Sequence, residues 1–306
     1  MQHFLAISNH TKDELRRMLQ LAVHLKQERR RRGSNRPLLK GKTLGMVFQK
    51  PSLRTRVSFD MAMRHLGGDA LYLSPAEIGL GQRESIADVS RVLSGYVDAI
   101  MARVFAHEHI LELARWATVP MINGLSDFNH PCQALADALT IHERFRGMEG
   151  IRVAYVGDGN NVATSLLSVC ARLGWDFSIA TPEGYELPQA VLEAAMDMAK
   201  EGASQVRALR DPGEAVRGSH VVYTDTWTSM GQEAEVQKRR AVFPPYQVNA
   251  ALLAEAEPSA IVMHCLPAHR GEEITDEVAD GPHSVIFQQA ENRMHAQKSI
   301  LVTLLT

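Results

Sequence analysis

Residues 48–59 read FQKPSLRTRVSF and gather two hydroxyls and two arginines, Ser52, Arg54, Thr55 and Arg56, within five positions. Just before them, Thr43-Leu44-Gly45-Met46-Val47 is an apolar run of strand length, and just after them Val57, Phe59, Met61, Ala62 and Leu66 recur at roughly helical spacing. Pro51 and Ser52 mark the helix start. A strand turning into a helix N-terminus offers free backbone N–H groups and the positive end of the helix dipole. With the hydroxyls and guanidiniums added, that turn is suited to a doubly charged phosphate; the plainer alternative is an exposed helix start with solvated arginines. It is not a glycine-rich phosphate loop, because side chains rather than bare backbone crowd it.

Other polar groups fall at strand ends or helix starts. They are Arg103, His130-Pro131-Cys132-Gln133, Asp225 with Ser229-Met230-Gly231, His264-Cys265-Leu266-Pro267, and Arg293 opening the last helix. Sites in doubly wound folds collect at such junctions, so their recurrence itself counts as evidence.

The elements that must position these groups follow a β–α alternation. Thr11 with Glu14 forms a capping box, and Leu15, Met18, Leu19, Ala22 and Leu25 give the next helix an apolar face, ended by Gly33-Ser34-Asn35. Strands are expected at 43–48, 70–73, 99–102 and 120–123, with helices near 85–96 and 109–116 and a long helix from Pro131. The pattern pauses at 147–150 and restarts with strands at 151–156, 176–180, 206–209, 220–224, 260–264 and 284–287, with a helix at 187–200 and a last one at 290–305. This predicts an α/β protein of two doubly wound domains with parallel sheets, joined near residue 145. Ligands are expected at the C-terminal strand ends and in the crevice between the halves.

Composition narrows the function classes. A length of 306 residues, 45% hydrophobic and 22% charged, suits two ordinary globular domains. The formal charge of −2 gives no sign of nucleic acid, and the basic run Arg29 to Arg32 most simply solvates a helix end. No apolar run approaches the ~18 residues of a membrane span, and the start of the chain resembles no secretory leader, so a cytoplasmic location is expected. Cys132, Cys170 and Cys265 are too few for a disulfide framework.

Three other chemistries fit less well. Gly157-x-Gly159 follows a strand, but Val162 stands where a dinucleotide fingerprint wants glycine or alanine, and no acidic residue ends the next strand. His264-Cys265 with His269, and His130 with Cys132, lack structural zinc spacing. A nucleophilic Cys–His pair would need an acid and an oxyanion hole that nothing in the sequence places.

With these segments together, the chain resembles the transcarbamoylase family, and within it the ornithine carbamoyltransferases. The resemblance runs almost end to end, through PSLRTR (51–56), ARVF (102–105), HPCQALAD (130–137), GDGNN (157–161), DTWTSMGQE (225–233), HCLPAHRGEEITDEV (264–278) and QAENRMHAQK (289–298). It implies transfer of the carbamoyl group of carbamoyl phosphate to L-ornithine, giving L-citrulline and phosphate in arginine metabolism. It implies no cofactor and no metal, and a homotrimer or larger assembly of trimers with shared active sites. The implied organisation is a carbamoyl phosphate domain at 1–145, an ornithine domain at 146–288, and a C-terminal helix at 289–306 returning to the first domain.

Carried over by position, the resemblance implies that Ser52, Leu53, Arg54, Thr55, Arg103 and Arg293 hold carbamoyl phosphate, with His130 and Gln133 at its carbamoyl end. Asn161, Asp225, Ser229 and the main chain at Met230 would hold the amino-acid end of ornithine. Cys265 and Leu266 would meet the carbamoyl amine, and Arg54, Arg103, His130 and Cys265 would form the catalytic set. The resemblance also places Gly79 at the carbamoyl phosphate site, and the sequence departs from the family there and at Leu53. Leu53 stands where threonine is frequent, as it does in relatives that use acylated ornithines. Gly79 occupies the place where relatives put a Gln or His that reaches the neighbouring site, so either Gln82 or Arg83 takes that role or the chain does without it. The Ser229-Met230-Gly231 loop keeps ornithine ahead of N-acetylornithine, putrescine or aspartate as acceptor.

Overall fold

The alternation of short buried strands with amphipathic helices resolves into two parallel sheets in the computed structural model, which describes residues 3–146, 149–229 and 231–306. Two compact units result, one of Met1–Leu139 with Glu291–Thr306 and the other of Thr140–Ala290.

In the first unit, β1 (Thr43–Phe48), β2 (Asp69–Leu73), β3 (Ala99–Arg103) and β4 (Met121–Leu125) lie in the order β2-β1-β3-β4. Every pairing is parallel. Such strands are covered on both faces, which explains why β3 and β4 are buried along their whole length. On one face, Val47, Ile100 and Ala102 pack with Ile86 and Val89 of the helix Ile86–Ser94 and with Ile110 and Leu113 of the helix His107–Trp116. The strand order reverses between β1 and β3, whose last residues Phe48 and Arg103 are register partners. A doubly wound sheet binds ligands beyond such a reversal, and here it is flanked by the turn after Phe48 and by Arg103.

The helix Lys12–Arg32 has the capping box expected of Thr11 and Glu14, buries Leu15, Met18, Leu19, Ala22 and Leu25, and ends at Gly33 with φ 72°. It meets the C-terminal helix Ile286–Leu305 through polar contacts. Buried Lys26 donates to Asn292 Oδ1 at 2.6 Å, and buried Lys298 donates to Asn35 Oδ1 at 2.7 Å.

In the second unit, β5 (Arg152–Val156), β6 (Asp176–Ala180), β7 (Val206–Leu209), β8 (Val221–Thr224) and β9 (Ile261–His264) lie in the order β7-β6-β5-β8-β9, again all parallel. Ala154, Val156, Val222 and Val262 pack on Val216, Ile274 and Val278. The reversal falls between β5 and β8, so the GDGNN turn and Asp225 share one sheet edge.

The strand expected at 284–287 does not form. Val262 donates to His283 O and accepts from Val285 N–H beside β9, leaving one isolated bridge between Val262 and Ser284. At Ile286 the chain enters the last helix, four residues ahead of the expected 290. A short apolar run cannot by itself distinguish an extra strand from the first turn of a buried helix.

Candidate active site

The phosphate-type turn is built on Thr55. Ser52 caps the helix Leu53–His65, its hydroxyl accepting from Thr55 N–H at 3.3 Å and donating to Thr55 Oγ1 at 3.1 Å. Arg103 Nη1 reaches the same oxygen at 3.3 Å from the end of β3, and Arg293 Nη2 reaches it at 3.0 Å from the C-terminal helix. Both guanidiniums and Thr55 are buried, so three distant segments place two cations on one hydroxyl. Arg54, next to Thr55 in the chain, is half-buried and makes no hydrogen bond or ion pair among the described residues. Arg56 points elsewhere, its guanidinium 4.0 Å from the centre of the Tyr72 ring. Leu53 is 76% exposed.

His130 is buried at the start of the helix Pro131–Phe145, and burial, with Arg293, Arg103 and Lys50 nearby, holds its imidazole well below the ordinary histidine range. It is therefore neutral at pH 7 and can donate one hydrogen bond without carrying charge. Gln133 lies one turn on and donates to Asp137 Oδ1 at 2.7 Å. Cys132 takes no part in this chemistry: its thiol donates to Asn123 O at 3.3 Å, and burial pushes it up to about 12. Gly79 adopts φ 49° at the end of the helix Pro75–Ile78, and a Cβ there would lie 2.9 Å from Arg83 Cβ. Of the two proposed stand-ins, Arg83 donates to Glu77 O at 3.3 Å and Gln82 is exposed.

The second unit carries a different constellation. Asn160 caps the helix Asn161–Leu173 by accepting from Val162 and Ala163 N–H, and its amide donates to Asp225 Oδ2 at 2.8 Å. Gly159 is required here, because a Cβ would lie 2.5 Å from the Glu186 carbonyl carbon. The other Asp225 oxygen accepts from Thr226 N–H at 2.8 Å and from the Cys265 thiol at 3.0 Å. Asn161 is half-buried at the first position of that helix, and Ser229 N–H donates to Gln232 Oε1 at 3.1 Å. Met230 lies outside the described residues.

Beneath Cys265, Leu266 N–H donates to His264 Nδ1 at 2.9 Å, so that nitrogen is the acceptor. The proton therefore sits on Nε2 and points at Glu273 Oε1, 3.0 Å away. His264 N–H donates to Gln289 Oε1, and the whole group is buried. Leu266 itself has φ 59°, a left-handed backbone that costs a β-carbon residue roughly 1–2 kcal/mol and that clusters at ligand sites.

Sequence reasoning missed several residues of this framework. Lys50 stands inside the FQKPSLRTR stretch without any periodic signal. Asp158 pairs with Arg239 at 2.9 Å, both buried, although they are 81 positions apart in the chain. Burial raises the Asp158 carboxyl to about 6, with Arg239 opposing the shift. Asp225, His264 and Cys265 bring three metal-type donor atoms within 4.8 Å, as do His269, Glu272 and Glu273. In the first set both His264 ring nitrogens are already engaged, so a metal would have to displace a structural hydrogen bond.

The two sheets thus define a class: a two-unit α/β enzyme with clustered guanidiniums at one strand reversal and a carboxylate–thiol pair at the other. The family described as aspartate/ornithine carbamoyltransferase, carbamoyl-P binding domain, matches residues 2–143, and its Asp/Orn binding domain matches residues 149–304. The chain is 54% identical to the ornithine carbamoyltransferase of Pyrococcus abyssi over 98% of its own length and 95% of the relative's. A solved ornithine carbamoyltransferase from Pyrococcus furiosus superposes with a TM-score of 0.97 at 53% identity, covering 99% of this chain and 97% of that one. The anabolic ornithine carbamoyltransferase of Campylobacter jejuni gives 0.95 at 39% identity, with 99% of both chains covered. The chain belongs to the aspartate/ornithine carbamoyltransferase family.

Proposed function

We propose that this enzyme transfers the carbamoyl group of carbamoyl phosphate to the δ-amine of L-ornithine, giving L-citrulline and phosphate. The observation that carries the reading is the meeting of Arg103 and Arg293 on Thr55, a concentration of buried positive charge that suits a phosphate dianion. Residues 1–145 bind carbamoyl phosphate, residues 146–288 bind ornithine, and residues 289–306 return Arg293 to the first set.

In this reading Ser52, Leu53, Arg54 and Thr55 hold the phosphate with hydroxyls, a guanidinium and helix-start N–H groups. Arg103 and neutral His130 stabilise the charge that develops on the carbonyl oxygen during amine attack, and Gln133 orients the carbamoyl group. The δ-amine has a solution pKa of ~10, so freeing its lone pair at pH 7 costs about 4 kcal/mol. Asp225 and Cys265 are polar partners near it, Asp225 also serving the amino-acid end with Asn161, Ser229 and Met230, and Leu266 lies beside the carbamoyl amine. Holding both substrates in line supplies much of the remaining rate. Gly79 and its loop complete a neighbouring protomer's site in a homotrimer. Exposed Leu53, Val57, Leu71 and Tyr96 on the first unit support self-association. A relative from Pyrococcus furiosus, 53% identical, is described as anabolic, which supports a biosynthetic role.

A citrulline assay with carbamoyl phosphate and a panel of L-ornithine, N-acetyl-L-ornithine, putrescine and L-aspartate tests the reading. Turnover is expected with ornithine, and none with it would sink the proposal.

A further inference from the structure

The turn after β1 carries a cation that has no assigned role. Lys50 lies between Gln49, whose N–H extends the β1–β3 pairing to Arg103 O at 2.8 Å, and Pro51, after which Ser52 caps the helix. The residue is only 8% exposed. Among the described residues its ammonium makes no hydrogen bond and no ion pair; its contact is with the Phe105 ring, 4.9 Å from the centroid. Arg103, Asp127 and His130 are the charged or titratable groups that face it, and of these only Asp127 is acidic.

A buried ammonium is costly unless a negative group compensates it, and a second cation beside it raises the cost. Lys50 shares its electrostatic neighbours with the Thr55 cluster: Arg103 bonds Thr55 and repels the Lys50 ammonium, and His130 feels Arg103, Arg293 and Lys50 together. We propose that Lys50 is a further carbamoyl phosphate-binding residue that takes up a proton when the anion binds. This rests on the assignment of the first half-site to carbamoyl phosphate. Burial and the neighbouring Arg103 hold the Lys50 ammonium down to about 8, with Asp127 opposing the shift. A phosphate dianion beside it favours the charged form and reverses that shift.

The test is isothermal titration calorimetry of the full chain with carbamoyl phosphate and no acceptor, at pH 8.5, in two buffers of different ionisation enthalpy. A phosphoryl group whose second ionisation is near ~6 stays dianionic there, so a proton taken up belongs to the protein. The wild type is expected to take up roughly half to one proton per site. Lys50→Arg should bind without uptake and keep a flat affinity from pH 7.5 to 9, where the wild type weakens. Lys50→Met should bind roughly ten- to a hundred-fold more weakly. Uptake that persists in Lys50→Arg, or binding by Lys50→Met within about twofold of wild type, overturns the inference and leaves the half-site reading standing. Failure of the wild type to bind carbamoyl phosphate overturns both.

Discussion

The Cys265 thiol donates to Asp225 Oδ1 at 3.0 Å while Asn160 donates to Oδ2 at 2.8 Å, so one carboxylate joins the loop after β9 to the helix cap after β5. Both of its oxygens are engaged, and the group cannot rotate without breaking a contact. Asp225→Asn removes the charge and turns one acceptor into a donor facing Asn160. Charge-assisted hydrogen bonds contribute about 1.5–3 kcal/mol each, so kcat/KM for ornithine should fall by roughly a hundredfold. The KM for carbamoyl phosphate should stay within about twofold, since the change leaves the first sheet untouched. Steady-state kinetics with each substrate varied separates the two, and an equal loss in both would refute the division of labour.

Thr55 gives a second, independent handle. Its hydroxyl is buried and receives both Arg103 and Arg293. Thr55→Val keeps shape but leaves two guanidinium N–H groups without that acceptor, at about 1–3 kcal/mol. The expected result is a KM for carbamoyl phosphate raised at least tenfold with little change for ornithine. Thr55→Ser should restore most of it. Wild-type kinetics in Thr55→Val would show that the hydroxyl does not organise the cluster.

Arg239, on the helix Val236–Val242, ties that helix to the segment after Asp225. It pairs with Asp158 at 2.9 Å, with Glu235 at 2.9 Å, and donates to Trp227 O at 2.6 Å. These contacts fasten the segment containing Ser229 to the GDGNN turn. Removing one partner of a buried pair typically costs 3–5 kcal/mol, because the other charge stays behind. Arg239→Met should therefore lower the urea midpoint and raise the KM for ornithine, whereas Arg239→Met with Asp158→Asn should recover part of the stability. Absence of any recovery would mean that Asp158 is not the group that suffers.

Much of this was legible in the sequence, and the reasons are physical. Capping chemistry is local, so Thr11/Glu14 and Ser52 announced their helix starts before any fold was known. Parallel strands buried on both faces leave continuous apolar runs, and β1, β3 and β5 were placed by them. Pairings across long separations were not legible. Arg293 on Thr55 and Arg239 on Asp158 depend on the path of the chain, which no local pattern encodes. Lys50 was overlooked for another reason: a lysine in a loop is ordinarily solvated, and only burial makes it unusual. The extra strand expected at 284–287 failed because four apolar or small residues satisfy both periods.

The C-terminal helix makes acid stability testable at His295. Its imidazole is buried, and burial, with Lys298, Lys26, Arg30 and His65 nearby, lowers it to about 3, even though Glu291 lies 3.4 Å from Nε2. In the unfolded chain a histidine titrates near ~6.5. The folded state therefore binds fewer protons between those values, so the contribution to stability is complete above pH 6.5 and is lost as pH falls toward 3. His65, lowered to about 4 by burial and by Lys298 and Arg29, acts in the same direction. Each such site adds up to about 1.4 kcal/mol per pH unit to the slope of unfolding free energy. Urea unfolding from pH 5.5 to 6.5, above the range of most carboxylates, should show wild-type stability falling with acid. His295→Gln, which keeps polarity but cannot charge, should fall less steeply by about one site's share. Parallel slopes in the two proteins would mean that His295 is already protonated in the fold, and that the lysine-rich contact between the first and last long helices tolerates one more charge.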